Sequence, residues 1–190
     1  MTIFDALIGS GIEIVHTRQE AAAVHMADAW ARLTGEVGVA MVTGGQGHTN
    51  AIAALPTAMA REVPLLLLSG HAPLRELGMG SFQEMRQADM AEPLTKLSFT
   101  AASTSGIGAD LARAFRVARS GRPGPVHLSL PTDLMDARIT APALPDAGAF
   151  TAEPMPLGAE ATQAIAGMIA GAARPVILAP PAMCSPRGKP

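Results

Sequence analysis

Short apolar runs recur along the first two thirds of the chain with almost no polar alternation. Residues 37–42, 63–70 and 126–131 are the clearest, and shorter β-prone segments lie at 12–15 and 98–101. Continuous apolar runs of this length are typical of strands that are buried on both faces of a sheet. The pattern therefore predicts several strands, each with little surface open to water.

Segments with helical periodicity separate these strands. Residues 20–33 place apolar side chains three and four positions apart, with Gly35 in a position to end the helix. Residues 51–60 and 108–120 are predicted to be further helices, and residues 71–93 a long polar surface loop. Since helices join the strands and hairpin turns are absent, the sequence predicts an α/β fold with a doubly wound parallel sheet.

The composition changes after the last of these strands. Residues 141–158 are rich in Pro, Ala and Gly, which is typical of a linker between domains. One more helix at 159–173 and one more strand at 175–179 follow it. The sequence thus predicts one domain over residues 1–140, a linker over 141–158, and the truncated start of a second domain over 159–190.

Composition and charge narrow the function classes. The 190 residues carry 14 Lys and Arg against 16 Asp and Glu, so no basic field exists for nucleic acid or an anionic membrane. The single cysteine, Cys184, excludes a disulfide framework and a multi-cysteine zinc site within the chain. No apolar run is long enough to span a bilayer, and residues 1–10 lack the basic start of a secretory signal. We therefore expect a cytoplasmic protein.

A glycine-rich turn and an acidic residue are the first candidates for chemistry. Residues 43–50 hold three glycines between a strand and a helix, where backbone N–H groups can approach a ligand. The spacing is neither G-x-G-x-x-G nor a P-loop, so the residues alone favour a tight turn. Glu20 begins a helix at the same predicted edge of the sheet. Alone, it is better explained as an acid that offsets the helix dipole.

Other candidates are weaker. His48 and His71 are the histidines in plausible site loops, and neither belongs to a metal-binding pair. Ser69 lacks the G-x-S-x-G context of a nucleophilic serine, which argues against a hydrolase. A nicotinamide-binding domain is disfavoured because the glycine spacing is wrong and no ribose-binding acid clearly follows the next strand.

Several ordered motifs carry a family resemblance that extends from Ile12 to Leu134. The chain resembles the N-terminal pyrimidine-binding domain of thiamine-diphosphate enzymes of the acetolactate synthase, pyruvate oxidase and benzaldehyde lyase group. The matching segments are T-R-Q-E-A-A at 17–22, M-A-D-A-W-A-R at 26–32, V-T-G-G-Q-G-H-T-N-A at 42–51, P-L-L-L-L-S-G at 64–70, F-Q-E at 82–84, T-K at 95–96 and G-R-P-G-P-V at 121–126.

The resemblance implies a role for Glu20 that its position alone does not. In this family a glutamate here bonds N1′ of the cofactor's aminopyrimidine ring and shares a proton with it, which promotes the imino form that deprotonates thiazolium C2. It implies catalytic functions for Glu20 and Gln83 and substrate contacts for Phe82, Gln83 and Lys96. The residues implied to line the cofactor are Glu20, Thr43, Gly44, Gly45, Gln46, Gly47 and Asn50.

The sequence departs from the family pattern in ways that bear on activity. Gln19, Gln46 and His48 replace the family's common residues in the pocket wall, so the substrate and the acceptor stay open. The family's first strand would precede residue 1, so we expect a sheet without that strand. The G-D-G…N segment that holds Mg²⁺ and the diphosphate does not occur in the sequence. We therefore expect no metal ligands in this chain and Mg²⁺ on a missing C-terminal domain, and FAD stays open as a further cofactor.

The leading interpretation is the N-terminal part of a thiamine-diphosphate-dependent carboligase or decarboxylase of 2-oxo acids, most like the acetolactate synthase large subunit of branched-chain amino acid biosynthesis. The expected partners are a second copy, as in a dimer, or a chain that carries the diphosphate-binding domain. We expect the isolated chain to be inactive. The alternative is a truncated or split non-catalytic module that only dimerises or contributes half of a cofactor site.

Overall fold

Four of the predicted strands pair into one sheet in the computed structural model, which describes residues 2–140, 144–152 and 154–184. They are β1 (Gly38–Val42), β2 (Leu65–His71), β3 (Leu97–Thr100) and β4 (Pro125–Pro131). All neighbouring pairs are parallel, and the order across the sheet is β1-β2-β4-β3. The predicted parallel sheet is confirmed.

Helices cover both faces of this sheet. The helices are α1 (Thr2–Leu7), α2 (Glu20–Thr34), α3 (Gln46–Ile52), α4 (Leu55–Ala60), α5 (Gln87–Ala91), α6 (Ile107–Arg119), α7 (Thr132–Asp136) and α8 (Ala159–Gly171). On one face, α2, α3 and α4 bury an apolar cluster with β1 and β2. On the other, α6 packs with β2 and β4, and α1 and α7 lie at its margin. The sheet is therefore doubly wound, as predicted.

Small residues bring α2 close to the sheet. Val24, Ala27 and Ala31 are its buried apolar side chains. A side chain at Gly38 of β1 would overlap the carbonyl oxygen of Ala27, so the helix and the strand are in direct backbone contact. The ends of α2 agree with the sequence: Gly35 ends it with a φ of 78° and an N–H bonded to Ala31 O.

Two predicted strands are absent. Residues 12–15 are exposed and have no strand partner, and residues 175–179 are exposed in an irregular segment. Both segments have a β-prone composition, but a strand exists only where a second strand satisfies its backbone N–H and C=O groups. Residues 12–19 instead line one side of a cleft of about 720 Å³, and the free edge of β1 lines the other.

Three further expectations need correction. Residues 37–42 are not buried on both faces, because Val39, in the middle of β1, is 50% exposed while Gly38 and Ala40 are buried. The helix predicted at 51–60 is two helices, and the first begins at Gln46, inside the glycine turn. The loop predicted at 71–93 contains α5, since Gln87 and Ala91 are buried against the sheet.

The structure describes only part of the predicted linker and of the predicted second domain. Residues 141–143 and 153 of the predicted linker, and residues 185–190 at the end of the chain, lie outside the described residues. Within the linker, Phe150 packs edge-on against Phe115 of α6 with 5.6 Å between ring centroids. The domain boundaries stay predictions. No helix in the described part of the chain is long and apolar enough to cross a membrane.

Candidate functional site

Apart from Lys96, the predicted site residues are brought together at the carboxyl edge of the sheet. The glycine turn follows β1 and leads directly into α3, while Glu20 begins the neighbouring helix α2. The segment before α5 lies over the same turn through Gln83. The carboxyl ends of parallel strands are where open α/β sheets bind ligands, because connecting loops diverge there and leave a crevice.

Glu20 and Asn50 form the central pair. Asn50 Nδ2 donates a hydrogen bond to Glu20 Oε2 over 3.1 Å, which joins the start of α2 to α3. A Cβ at Gly47 would lie 3.5 Å from Glu20 Oε1, so the second carboxylate oxygen is directly above that glycine. The amide of Asn50 therefore fixes one carboxylate oxygen, and the other lies within van der Waals range of a Cβ at Gly47. Gln19 supports the start of α2, since its side chain accepts a hydrogen bond from Ala22 N.

The glycine turn is packed against the sheet. A Cβ at Gly44 would lie 2.6 Å from the Gly70 carbonyl oxygen at the end of β2, closer than any real Cβ contact. Gly45 precedes α3 with a φ of 64° and a ψ of −122°, a conformation that other residues rarely adopt. Thr43 and Gln46 are exposed on the outer side of the turn. Each of the first two glycines is therefore required by the backbone geometry.

Gln83 lies over the turn in a strained conformation. Its φ is 63°, which costs a non-glycine residue about 1–3 kcal/mol. In that conformation its side chain packs over Gly45, and Nε2 donates to Thr43 Oγ1 over 3.4 Å. The neighbouring Phe82 is 85% exposed. The structure thus places Gln83 at the glycine turn and leaves the Phe82 ring free to contact another molecule.

Glu84 holds the loop that carries these two residues. Its carboxylate accepts hydrogen bonds from the backbone N–H groups of Gly78, Gly80 and Ser81. The bond from Gly78 is the main reason that the pKa of this carboxyl is lowered, and the other two act in the same direction.

Lys96 lies apart from these residues. It precedes β3, and its backbone N donates to Pro125 O at the start of β4, so it occupies the amino edge of the sheet. Its Nζ donates to the Val117 and Ser120 carbonyls at the end of α6. An ammonium group there satisfies the last carbonyls of a helix. The structure does not bring Lys96 to the candidate site in this chain, because strand direction places it at the opposite edge.

A buried polar network lies beneath the site, which the sequence did not reveal. His48, predicted in a site loop, is fully buried, with its Nδ1 hydrogen-bonded to Ser69 Oγ over 2.9 Å. Ser69 also contacts His127 Nε2 over 3.2 Å, and the two imidazole rings are 4.5 Å apart. Burial lowers the pKa of His48 to about 4 and that of His127 to about 3, with nearby histidines adding to each effect. Both rings are therefore neutral packing residues.

Gln87 was not predicted as a site residue. It falls in the segment predicted to be a loop, where the structure instead has the short helix α5, and it is fully buried. His71, also predicted in a site loop, is buried, and its Nδ1 hydrogen-bonds the Ala72 carbonyl oxygen. The described residues contain no cluster of three or more His, Cys, Asp or Glu that could hold a metal ion.

The candidate site has a carboxylate beside a glycine turn and a helix start, at the carboxyl edge of a parallel sheet. This arrangement defines the class of protein: an α/β domain with a polar ligand site at its strand ends. The model of one protein family, described as "Thiamine pyrophosphate enzyme, N-terminal TPP binding domain", matches residues 1–90. The chain belongs to the thiamine pyrophosphate enzyme family and carries its N-terminal TPP-binding domain.

Curated relatives extend the similarity beyond residue 90. The chain is 46% identical over 138 residues to the acetolactate synthase isozyme 3 large subunit of Escherichia coli (strain K12), which covers 72% of this chain and 24% of that protein. It is 43% identical over 125 residues to 2-hydroxyacyl-CoA lyase 2 of Danio rerio, covering 66% of the chain and 20% of that protein. The catabolic acetolactate synthase of Raoultella terrigena is 35% identical over 176 residues, 93% of the chain and 31% of that protein. The chain thus spans between a fifth and a third of the length of these relatives.

Proposed function

We propose that this chain supplies the pyrimidine-binding half of a thiamine diphosphate site in a carboligase or decarboxylase of 2-oxo acids, most like the acetolactate synthase large subunit. The single observation that carries the proposal is the Glu20–Asn50 pair above Gly47. Relatives named acetolactate synthase support this choice of reaction class.

The described residues fit the ring end of the cofactor. Glu20 is only partly exposed, and Asn50 holds one of its oxygens, so the other oxygen can share a proton with a ring nitrogen. Gly47 presents no side chain to that carboxylate, whose Oε1 would lie 3.5 Å from a Cβ at this position. The described residues offer no acidic or histidine cluster for the Mg²⁺ that would accompany a diphosphate. The fit is therefore to the pyrimidine ring and does not extend to the diphosphate.

The residues of this chain would act on one proton. When bound, thiamine diphosphate supplies a thiazolium carbon that adds to the substrate carbonyl and accepts the electron pair released by decarboxylation. Glu20 would hold a proton at the pyrimidine N1′ atom, as general acid–base catalysis requires a carboxyl group within hydrogen-bond reach. Asn50 would keep that carboxylate oriented, and Gln83 and Phe82 would face the substrate side.

The remaining half of the site would come from another polypeptide region. We propose that a G-D-G…N segment, in a second chain or in a domain outside these residues, holds Mg²⁺ and the diphosphate. Exposed Phe82, Met79 and Leu77 lie on one loop at the edge of the site and would be covered in a homo-oligomer. Cytoplasmic location and a place in branched-chain amino acid synthesis stay predictions, as does FAD.

A chimaera tests the proposed reaction. Residues of this chain would replace the matching 138-residue segment of the E. coli acetolactate synthase isozyme 3 large subunit, and acetolactate formation from pyruvate would be measured. We expect the chimaera to be active, and Glu20→Gln to lower its kcat by about 10²-fold or more. Glu92→Gln, the same change at an exposed glutamate outside the site, is the matched control and should leave kcat within about threefold. An active Glu20→Gln chimaera would refute the proposal.

The isolated chain gives a second test. Titration calorimetry with thiamine diphosphate and Mg²⁺ should show no micromolar binding, because the described residues contain no cluster of acidic or histidine side chains for the Mg²⁺ that accompanies the diphosphate. Micromolar binding by the chain alone would overturn the assignment of that half to another polypeptide region.

A further inference from the structure

We propose that Gln87 is the positioning residue of the candidate site: its side-chain amide holds the glycine turn in place and thereby sets Asn50 against Glu20. The inference rests on the proposed function for its biological meaning, but the contacts that it concerns exist without any cofactor.

The side chain of Gln87 joins three separate parts of the fold. Its Oε1 accepts a hydrogen bond from Gly45 N over 2.7 Å. Its Nε2 donates to the Gly70 carbonyl oxygen over 2.9 Å and to Ser129 Oγ over 3.0 Å. Gly45 belongs to the turn, Gly70 is the last residue but one of β2, and Ser129 lies in β4. One amide group therefore connects the glycine turn to the two central strands of the sheet.

Burial raises the free-energy cost of breaking the bond between Gln87 and the turn. Gln87 is fully buried, so its Oε1 would lose its partner Gly45 N and gain no water if the turn moved away, while Nε2 would stay bonded to the two strands. Gly45 is in the same position, because it is buried and its N–H points to Gln87 Oε1. A buried donor without a partner costs more than an average hydrogen bond contributes. The turn is thus held at one distance from β2, the distance at which Gly44 contacts Gly70.

The position of the turn decides the geometry around Glu20. Gly45 is the residue immediately before α3, and α3 carries both Gly47 and Asn50. Since a seven-residue helix moves as a unit, a shift of Gly45 moves the Asn50 amide and the Gly47 backbone together relative to Glu20. The three hydrogen bonds of the Gln87 side chain go to Gly45, Gly70 and Ser129 and not to Glu20 or Asn50, so it acts on the carboxylate through α3.

Two substitutions at residue 87 separate hydrogen bonding from filling space. Gln87→Met keeps a side chain of similar length without its polar atoms. Gln87→Glu is the conservative variant, because a buried carboxyl group is protonated and keeps an acceptor for Gly45 together with one donor. Ser129→Ala is the matched control, since it removes a partner of Gln87 in β4 and leaves the bond to Gly45.

Two readouts on the 190-residue chain by nuclear magnetic resonance test the proposal without cofactor. They are the hydrogen-exchange rate of the Gly45 amide and the side-chain amide signal of Asn50, whose position in Glu20→Ala marks the broken pair. In Gln87→Met we expect Gly45 exchange to rise about tenfold or more and the Asn50 signal to move towards its Glu20→Ala position. Gln87→Glu and Ser129→Ala should keep both readouts near the values of the unaltered chain.

The outcomes are decisive in each direction. The proposal is overturned if Gln87→Met leaves both readouts unchanged, or if Ser129→Ala alters them as much. If Gln87→Met does not fold, the unaltered chain still decides, because fast exchange of the Gly45 amide would contradict the buried bond. Failure of the chimaera with these readouts as expected would refute the proposed reaction and leave the positioning function of Gln87 standing.

Discussion

The side chain of Asn50 donates a hydrogen bond to the carboxylate of Glu20 over 3.1 Å, although Glu20 begins α2 and Asn50 lies in α3. Replacing Asn50 with Asp would put two carboxylates at that distance. We expect Asn50→Asp to lower the free energy of unfolding at pH 7 by about 1 kcal/mol, and the loss to disappear near pH 4 as a carboxyl group takes up a proton. Urea unfolding at both pH values measures this.

The control is Asn50→Ala, which removes the donor without adding a charge, so its loss of stability should not depend on pH in this way. The double variant Glu20→Gln with Asn50→Asp reverses donor and acceptor and should recover most of the stability. Equal pH dependence in Asn50→Asp and Asn50→Ala would contradict the pairing.

We predict that alanine is tolerated at position 47 only when the side chain of Thr43 is shortened. A Cβ at this position would lie 2.5 Å from Thr43 Cγ2, so Gly47→Ala should destabilise the chain by about 1–3 kcal/mol. Thr43→Ser removes that methyl group and should restore most of the loss in the double variant. Thermal unfolding followed by circular dichroism measures both changes.

Gly167 offers a matched control for this substitution, because a Cβ there would meet nothing within 4 Å and the residue lies inside the exposed helix α8. Alanine favours a helix interior, so Gly167→Ala should not lower the unfolding midpoint. A double variant of Gly47 and Thr43 as unstable as Gly47→Ala alone would show that the methyl contact is not the cause.

Acid should destabilise the fold through the two buried histidines. Burial holds the pKa of His48 at about 4 and that of His127 at about 3, while an unfolded histidine titrates near 6.5. Between these values the unfolded chain binds more protons than the folded chain, so stability is complete above about pH 6.5 and falls as the pH drops towards 4. The expected slope is roughly 1.4 kcal/mol per pH unit for each ring.

Urea midpoints measured at intervals from pH 7 to pH 5 would give this slope. His127→Asn should reduce it by about half, since one of two titrating rings is removed. His25→Gln, a change at an exposed histidine, should leave the slope as it is. An unchanged slope in His127→Asn would mean that other groups cause the acid sensitivity.

The loop that carries Phe82 and Gln83 should lose order when Glu84 loses its charge. Backbone N–H groups, first that of Gly78, lower the pKa of this carboxyl in the folded chain. Its contribution to loop order is therefore complete above the ordinary glutamate pKa and is lost as the pH falls through the lowered value. Glu84→Gln should raise the hydrogen-exchange rates of the Gly78 and Gly80 amides at pH 6 by about fivefold, the effect expected from weakening one charge-assisted hydrogen bond.

The comparison variant for this loop is Glu92→Gln, a change at an exposed glutamate outside it. It should leave exchange at Gly78 and Gly80 unaltered. If Glu84→Gln did the same, the hydrogen bonds from the loop to this carboxylate would not be what holds it.

The sequence pattern predicted the features that depend on residues close together in the chain. The start and end of α2 are set by Gln19, whose side chain accepts from Ala22 N, and by Gly35 with its positive φ. The glycine turn was predicted from its three glycines, and the structure adds the reason for two of them: contact of Gly44 with Gly70 and the φ of Gly45. The resemblance to thiamine-diphosphate enzymes selected Glu20, and the structure brings Asn50 to it.

Local patterns were not sufficient where the outcome depends on a distant partner. Residues 12–15 and 175–179 are as β-prone as the true strands, yet no second strand pairs with them. The structure places Lys96 at the amino edge of the sheet, because the direction of β3 decides which end of the strand it occupies. Gln87 was overlooked because its three hydrogen-bond partners are distant in the chain.

The sequence by itself determined the class of fold, four of its strands, the ends of α2 and the residues of the glycine turn, because hydrophobic periodicity and helix ends depend on neighbours a few positions away. Only the tertiary structure decided which strands pair, that β1 lies at an edge, and that Gln87 reaches the turn from α5. The physical reason is that hydrogen bonds between strands and buried side chains join residues far apart in the chain, and a local pattern carries no information about such partners.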